Sequence, residues 1–154
     1  MEVIRRDTEY GIRALVHLAS HPGGPVSAGE IAASQDVPIE FLQKILQKFT
    51  RCGFVSSHRG AQGGFTLAKD PRQISVLEIV EAVQGKIAVN RCFLGRDGCP
   101  RAPKCPLKEN WFQVEQMIAG FLGGVTLQDL VDQLREAGLQ ERQGGGAEPG
   151  TGAS

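Results

Sequence analysis

The sequence predicts a mainly α-helical fold with one small β-hairpin and a long helix near the C-terminus. Three observations support this prediction. Apolar residues recur at helical spacing in six segments, two short strand candidates flank a glycine-rich loop, and the 41% hydrophobic fraction is ordinary for a chain with a real core. A length of 154 residues fits one domain, or one small domain with an appendage.

Turn and capping residues bound the first two predicted helices. Apolar spacing places the first over 8–20, with Asp7 or Thr8 as the N-cap and a run rich in proline and glycine at its end. Ser27 and Glu30 have the spacing of a capping box, in which each side chain accepts from the other residue's backbone N–H. A second, short helix is therefore expected to begin there.

The third predicted helix, over 39–52, has one apolar face and one polar, largely basic face. Gly53 suits the left-handed position that commonly follows the end of a helix. An amphipathic helix of this kind packs through one face and presents the other to solvent or to a partner. The apolar face comprises Phe41, Leu42, Ile45, Leu46 and Phe49, and the other face comprises Gln43, Lys44, Gln47, Lys48 and Arg51.

A β-hairpin and a fourth helix follow. Strand candidates at 54–58 and 65–68 flank the loop 59–64, which holds three glycines. Ser75 and Glu78 have the spacing of a second capping box, which opens the fourth helix. Three helices followed by a glycine-tipped hairpin form the order of elements in a winged helix-turn-helix. In that fold the third helix enters the DNA major groove, and the hairpin is called the wing.

The charge of the chain is zero overall but unevenly distributed. Six cations and a single acid, Asp70, lie between positions 41 and 72, which gives this stretch a net charge of +5. A local basic face matters more for phosphate binding than the whole-chain total. Charge alone is equally typical of a solvated helix face, and a small helical core with a protein-binding hairpin stays an alternative. The order of the elements favours DNA binding.

The predicted DNA contacts come from the third helix and the wing. Arg59, at the wing tip, is expected to enter a narrow minor groove, where A·T stretches attract guanidinium groups. Phosphate contacts are expected from Lys44, Lys48, Arg51 and Lys69, and base or groove contacts from Glu40, Gln43, Ser57 and Arg59.

Three cysteines lie within fourteen residues of a segment that lacks helical or strand periodicity. Cys92, Cys99 and Cys105 are spaced C-x6-C-x5-C among glycine, proline, arginine and lysine, whereas structural cysteines usually sit singly among apolar neighbours. The cations favour thiolates, and the long gaps differ from the paired C-x2-C spacing of zinc ribbons. The segment is predicted to hold an iron–sulfur cluster, with a zinc site or a thiol switch as alternatives. Cys52 is interpreted as a separate, packed thiol.

Two further helices and a tail complete the chain. The fifth helix is predicted from about position 106 to 121, and the sixth, capped by the stretch Thr126–Asp129, to about position 136. From Gln143 the composition is typical of disorder. No run is apolar enough to span a membrane, and the N-terminus lacks the apolar region of a secretory signal, so a cytoplasmic protein without a membrane partner is expected.

In this order, the motifs make the chain similar to the Rrf-type bacterial regulators. The resemblance covers about residues 1–135. The three cysteines and the order of the matching stretches together are specific to that family. The stretches lie at 10–19, 24–26, 37–42, 53–57, 59–64 and 69–70, at the Arg91-Cys92 start of the cysteine segment, and at 120–122 and 125–127.

The resemblance implies a homodimer and a bound 2Fe–2S or 4Fe–4S cluster. The fifth helix, here 111–122, would form most of the contact between the two copies. The cysteine segment would meet the first helix of the partner, where Glu9 stands at the position of the remaining ligand. From the residues alone, Glu9 is an ordinary first-turn glutamate that the helix dipole favours. The residues implied at the dimer contact are Trp111, Phe112, Val114, Glu115, Ile118 and Phe121.

Two positions depart from the pattern of the family's iron–sulfur-cluster assembly regulators. Lys108 stands three residues after the last cysteine, where those regulators have a histidine, and a cation is a poor metal ligand. This difference favours the nitric-oxide-sensitive and redox-sensing branches. Gln43 stands where those regulators have a glutamate. Because glutamine pairs with adenine and glutamate with cytosine, a different operator is expected.

Together these features predict a DNA-binding transcriptional regulator, a repressor, that senses iron–sulfur status, redox state or nitric oxide. The expected parts are a winged-helix domain (1–85), a cysteine segment (86–106), a dimerisation helix with a closing helix (107–137) and a tail (138–154). A cluster-carrying accessory protein that does not bind DNA is a further alternative. An enzyme is not expected, because the three histidines have no evident acid–base partner in the sequence.

Overall fold

A computed structural model describes residues 2–90 and 99–144, with side chains up to residue 138. Six α-helices and a two-stranded antiparallel sheet make up this part of the chain, so the predicted mainly α fold with one hairpin is confirmed. None of the helices described is long and apolar enough to cross a membrane. The elements are α1 (Arg6–Ser20), α2 (Ala28–Gln35), α3 (Ile39–Arg51), β1 (Val55–His58), β2 (Gly64–Leu67), α4 (Val76–Gln84), α5 (Lys108–Gly124) and α6 (Leu127–Gly144). The tail was predicted to begin at residue 138, but residues 138–144 are helical and belong to α6. The rest of the predicted tail, beyond residue 144, lies outside the described residues.

The core forms around α1, which packs against α2, α3, α4 and α6. Burying each large apolar side chain stabilises the fold by about 1.5–3 kcal/mol. Because α6 contributes two of the fully buried side chains, it belongs to the same core as the first three helices. The largest fully buried apolar side chains are Leu15, Ile31, Leu42, Leu46, Phe49, Ile74, Ile79, Val80, Leu127 and Val131.

Both predicted capping boxes are confirmed. The Ser27 hydroxyl accepts from the Glu30 N–H at 3.1 Å, and the Glu30 carboxylate accepts from the Ser27 N–H at 2.9 Å. Ser75 and Glu78 make the same pair of bonds at the start of α4, at 3.2 and 2.8 Å. The backbone hydrogen bonds lower the pKa of both glutamates, so the boxes hold their charged form at neutral pH.

The start of α1 differs from the prediction. The helix begins at Arg6, and its N-cap Arg5 makes no side-chain capping bond, so the expected caps Asp7 and Thr8 are wrong. Thr8 is instead fully buried inside the helix, where its hydroxyl donates to Oε1 of Gln84 at 2.7 Å. A long-range side-chain contact therefore replaces the local cap. α5 and α6 both continue further toward the C-terminus than predicted.

Phe41, expected on the apolar face of α3, is 54% exposed, so that expectation is wrong. The buried stripe follows Leu42, Ile45, Leu46 and Phe49, which is the i, i+3, i+4, i+7 spacing of one helix face. Each residue adds about 100° of rotation, so the residue before Leu42 turns away from the core. α3 therefore presents an aromatic side chain beside its charged residues.

Gly11 allows α1 and α3 to cross closely. A Cβ atom at this position would lie 2.8 Å from Cζ of Phe49 and 3.2 Å from Cγ2 of Ile45, and both are core side chains. We therefore expect Gly11→Ala to lower the free energy of unfolding by about 2 kcal/mol through overpacking. Denaturant unfolding at a fixed protein concentration measures this change.

The matched control is Gly138→Ala on α6, where a Cβ atom would meet nothing within 4 Å. There the substitution is expected to be neutral, or to raise the free energy of unfolding by about 0.5–1 kcal/mol, because alanine favours the helix. Equal unfolding midpoints for the wild type and Gly11→Ala would contradict the close crossing of α1 and α3.

Candidate nucleic-acid interface and cysteine segment

The outer face of α3 carries exposed polar side chains. The helix packs into the core through its apolar stripe, and Glu40, Gln43, Lys44 and Arg51 are all exposed. Glu40 lies in the first turn and Arg51 in the last. The structure therefore brings four of the predicted DNA contacts onto one accessible surface of the third helix.

Two of the predicted phosphate contacts are held by interactions inside the protein. Lys48 is half-buried, and its ammonium donates to the carbonyl oxygen of Val83 at 2.9 Å. Lys69 is also half-buried, and its Nζ atom lies 5.8 Å from the ring centre of Phe54, within cation–π range. The other two predicted phosphate contacts are exposed on α3. A phosphate contact by any of the four stays a prediction.

The β1–β2 hairpin corresponds to the predicted wing. Its strands pair antiparallel, with His58 opposite Gly64 at the loop end. Ser57, on β1, and Arg59, at the start of the loop, are both exposed. The two predicted groove contacts of the hairpin are therefore accessible to a ligand.

Backbone hydrogen bonds fix the wing against the connection between α1 and α2. The Val26 N–H donates to the Phe65 carbonyl at 3.0 Å, and the Phe65 N–H donates to the Val26 carbonyl at 2.8 Å. Gly64 packs directly on this bridge: a Cβ atom there would lie 2.4 Å from the Val26 oxygen, and its φ is +154°. Only glycine fits such a close backbone approach.

His17 joins α1 to α2 within the helix-turn-helix. Its Nδ1 atom lies 3.1 Å from the Ser34 hydroxyl and 3.3 Å from the Gln35 side-chain nitrogen, and its ring stacks on that of His21. Burial lowers the pKa of His17, and the nearby His21 lowers it further, so the neutral ring is favoured. His17 therefore packs the two helices together.

Cys99 and Cys105 lie at the two ends of a short turn that leads into α5. The Ala102 N–H donates to the Cys99 carbonyl at 3.0 Å, and the Lys108 N–H, at the first residue of α5, donates to the Cys105 carbonyl at 3.3 Å. Both thiols are free and half-buried. The exposed cations of this turn and of the start of α5 are Arg101, Lys104 and Lys108.

The structure does not assemble the predicted metal ligands into one site. Cys92 lies outside the described residues. Glu9 is exposed on α1, where its Oε1 atom lies 3.7 Å from Nε of Arg13. Within residues 2–90 and 99–138, no three histidine, cysteine, aspartate or glutamate side chains are grouped as metal ligands. The ligand set Cys92, Cys99, Cys105 and Glu9 therefore stays a prediction.

Cys52, interpreted from the sequence as a packed thiol, is exposed at the C-cap of α3. The buried stripe of α3 ends at Phe49, and the chain leaves the helix through Gly53, whose φ of +77° is the predicted left-handed conformation. The packed interpretation of Cys52 is therefore wrong, while its separation from the cysteine turn before α5 agrees with the sequence analysis.

Glu115 of α5 connects this helix to the start of the cysteine segment. Its carboxylate accepts from the Val89 N–H at 3.0 Å, and both residues are buried. A buried carboxylate with a backbone partner fixes the chain just before the region that holds Cys92. Glu115, which the family resemblance implied at the dimer contact, thus has a partner within its own chain.

An apolar stripe lies exposed along the opposite side of α5. Met117 and Phe121 are 73% and 72% exposed, and Val114, three residues before Met117, is half-buried. The prediction of dimer residues omitted Met117. Its spacing could have identified it, because it lies three residues after Val114 and four before Phe121 and therefore on the same helix face. Phe112 is 44% exposed, whereas Trp111 and Ile118 are half-buried.

A winged helix-turn-helix with a basic third helix and an arginine-bearing wing defines a class, the DNA-binding regulators. The family model that matches residues 4–133 is Rrf2, described as an iron-dependent transcriptional regulator. The chain therefore belongs to the Rrf2 family, and the predicted resemblance is confirmed. Since its relatives are named transcriptional regulators, the chain is a transcriptional regulator and not an enzyme.

Individual relatives match most of the chain. The HTH-type transcriptional regulator IscR of Photorhabdus laumondii is 32% identical over 135 residues, which cover 87% of this chain and 82% of that protein. The structure of T. potens IscR aligns with a TM-score of 0.67 and 28% identity, covering 96% of this chain and 93% of that one. CymR, the global cysteine regulator of B. subtilis, aligns with a TM-score of 0.71 and 26% identity, covering 86% and 98%.

Proposed function

We propose that this regulator is a homodimeric repressor whose operator affinity is set by an iron–sulfur cluster on Cys92, Cys99 and Cys105. The observation that carries the proposal is the turn before α5, where two free, half-buried thiols stand among exposed cations. Thiolates are the usual ligands of iron–sulfur clusters, and neighbouring cations favour the thiolate form. The donor set therefore fits such a cluster.

The DNA-binding side of the proposal uses the exposed face of α3 and the wing. Lys44 and Arg51 are available to phosphates, while Gln43 lies in the N-terminal half of the helix, the part that contacts base edges in helix-turn-helix proteins. Arg59 is accessible at the wing tip for the minor groove. Specificity would thus come from one helix and one arginine.

A second copy of the chain would complete both halves of the site. Met117 and Phe121 are exposed beside the half-buried Val114, and a contiguous apolar patch of this kind is typical of a helix–helix contact. Two-fold pairing would present two recognition helices to successive major grooves, about 34 Å apart. The Glu9 carboxylate of the second copy is the proposed remaining ligand.

The cluster would supply a centre whose integrity depends on oxygen, nitric oxide and iron supply. The protein's part is to hold thiolates on a segment that begins at the buried Val89–Glu115 hydrogen bond and ends at α5. A change in that segment can shift the population of DNA-competent dimers, and a coupling of about 1–3 kcal/mol suffices for a useful switch. The description of the family as iron-dependent supports this proposal.

A thiol switch without iron is the second candidate, and the similarity to CymR favours it. CymR of B. subtilis is named a global cysteine regulator, and a Staphylococcus aureus CymR is described in an oxidized form. Two of these thiols would then form a disulfide by exchange with an external disulfide, which takes up the two electrons and two protons and is released as two thiols. The same cysteines could instead bind zinc, which is a further alternative without iron. Lys108 would be a poor ligand for zinc, as it would be for a cluster.

Anaerobic purification tests the proposed function. We expect a coloured protein with iron and sulfide in equal amounts, which retards DNA from its own promoter region in an electrophoretic assay. Colourless protein that takes up no iron on reconstitution but still binds DNA would favour the thiol switch. Iron-binding protein that binds no promoter DNA in either its cluster-loaded or its cluster-free form would favour a cluster-carrying accessory protein instead.

Arg59→Ala is expected to weaken operator binding about tenfold, because a minor-groove arginine contributes both charge and fit. The slope of log Kobs against log salt concentration should also fall by about 0.9, one phosphate equivalent. Fluorescence anisotropy over a series of salt concentrations measures both quantities. Arg135→Ala on α6, also an exposed cation, is the control and should leave them unchanged. If Arg59→Ala kept the wild-type affinity and salt slope, the wing would not be part of the DNA interface.

A further inference from the structure

The last turn of α4 receives a side chain from the recognition helix. The Lys48 ammonium donates to the Val83 carbonyl at 2.9 Å, across 35 residues of sequence. Carbonyl groups in the final turn of a helix lack helical partners and carry the negative end of the helix dipole, so a cation is favoured there. Lys48 therefore links α3 to the C-terminus of α4.

The neighbouring residue, Gln84, links the same turn to the start of α1. Its Oε1 atom accepts from the Arg5 N–H at 3.0 Å and from the Thr8 hydroxyl at 2.7 Å, while its Nε2 donates to the Val3 carbonyl at 2.8 Å. These bonds explain why α1 begins without a local cap. The two adjacent residues 83 and 84 thus hold both the recognition helix and the N-terminal segment.

The cysteine segment departs from this same place. The chain leaves α4 through Gly85, at a φ of +83°, and four residues later Val89 is fixed to Glu115 by the buried hydrogen bond. Only the short stretch 85–88 separates the end of α4 from that fixed point. A shift of Val89 would act on the end of α4 through this short stretch, and on α3 through the Lys48–Val83 hydrogen bond.

We infer that Lys48 is a positioning residue, which couples the recognition helix to the start of the cysteine segment and does not contact phosphate. The inference about coupling rests on the proposed function. The absence of a phosphate contact rests on the Val83 hydrogen bond alone, because an ammonium held on a carbonyl and half-buried is not presented to DNA.

The test compares Lys48→Gln with Lys44→Gln, its exposed neighbour one turn earlier, in cluster-free protein. Lys44→Gln is expected to lower the salt slope of operator binding by about 0.9. Lys48→Gln, whose amide is shorter and uncharged, should weaken binding about three- to tenfold while keeping the wild-type slope, and Lys48→Arg, which retains a cationic donor of similar reach, should restore affinity. A slope reduced equally in both glutamine variants would overturn the inference.

Coupling is measured as the ratio of operator affinities of cluster-loaded and cluster-free protein. Lys48→Gln should move this ratio toward one, with iron content unchanged. Lys48→Met, which keeps the length of the side chain without a donor, should do the same and keeps the test open if Lys48→Gln fails to fold. An unchanged ratio in a folded Lys48→Gln or Lys48→Met variant would overturn the coupling. If the wild type binds no cluster, the proposed function fails, while the salt slopes still decide the role of Lys48.

Discussion

Cys105→Ala is expected to reduce bound iron and sulfide to about a tenth of the wild-type content or less, because it removes one of three thiolate ligands. Cys105 lies half-buried at the end of the turn, and its carbonyl receives the first N–H of α5, so its backbone position is fixed. Alanine keeps this backbone bond and removes only the sulfur. Iron and sulfide assays on anaerobically purified protein, with the visible spectrum, measure the loss.

Cys52→Ala is the matched control, since it also removes one thiol. Cys52 is exposed at the C-cap of α3 and stands apart from the cysteine turn. It should therefore retain wild-type iron and the wild-type spectrum. Full iron content in Cys105→Ala would remove this residue from the ligand set. If Cys52→Ala lost iron as well, the loss in Cys105→Ala would not be specific to the cysteine turn. The proposed ligand site would then have no support.

Gly64→Ala is expected to lower the free energy of unfolding by about 3 kcal/mol and to weaken operator binding about a hundredfold. The added Cβ would lie 2.4 Å from the Val26 oxygen and 2.5 Å from its carbonyl carbon, which are backbone atoms that cannot rotate away. The bridge to Phe65 must open, and the wing then loses its fixed position. Denaturant unfolding and promoter binding measure the two effects.

Limited trypsin digestion adds a local measurement, because cleavage after Arg59 should accelerate when the wing is released. Gly23→Ala is the control: it lies near the same connection, but a Cβ atom there would meet nothing within 4 Å. It should keep wild-type stability within about 0.5 kcal/mol. Gly64→Ala with wild-type proteolysis and operator affinity would show that the bridge does not position the wing.

Local patterns predicted most of the fold. The Ser27 and Ser75 boxes are set by residues three positions apart, so the starts of α2 and α4 could be identified from sequence. The start of α1 could not, because the groups that hold it belong to Gln84, 76 residues after Thr8. A single sequence contains no signal for a partner at that distance.

The candidate DNA-binding and cysteine sites show the same difference between local patterns, which the sequence reveals, and long-range contacts, which it does not. Helical spacing correctly placed Lys44 and Arg51 on the outer face of α3, because exposure follows the 3.6-residue period. It also placed Lys48 there, but the long lysine side chain reaches back to a carbonyl of another helix. The inward orientation of Glu115 was equally hidden, since its partner is a backbone N–H of the cysteine segment and not a residue of its own helix.

After the cysteine segment and α5, the chain returns to the core at α6. The Val76 N–H donates to the Val125 carbonyl and the Leu127 N–H to the Ile74 carbonyl, both at 2.8 Å, so the start of α4 and the start of α6 lie side by side. The stretch from Gly85 to Gly124, which contains the cysteine segment and α5, thus connects two helices whose starts are held together. We therefore expect changes of sequence in this connection to leave the core formed by α1–α4 folded, provided that α6, which adds Leu127 and Val131 to the buried side chains, is kept.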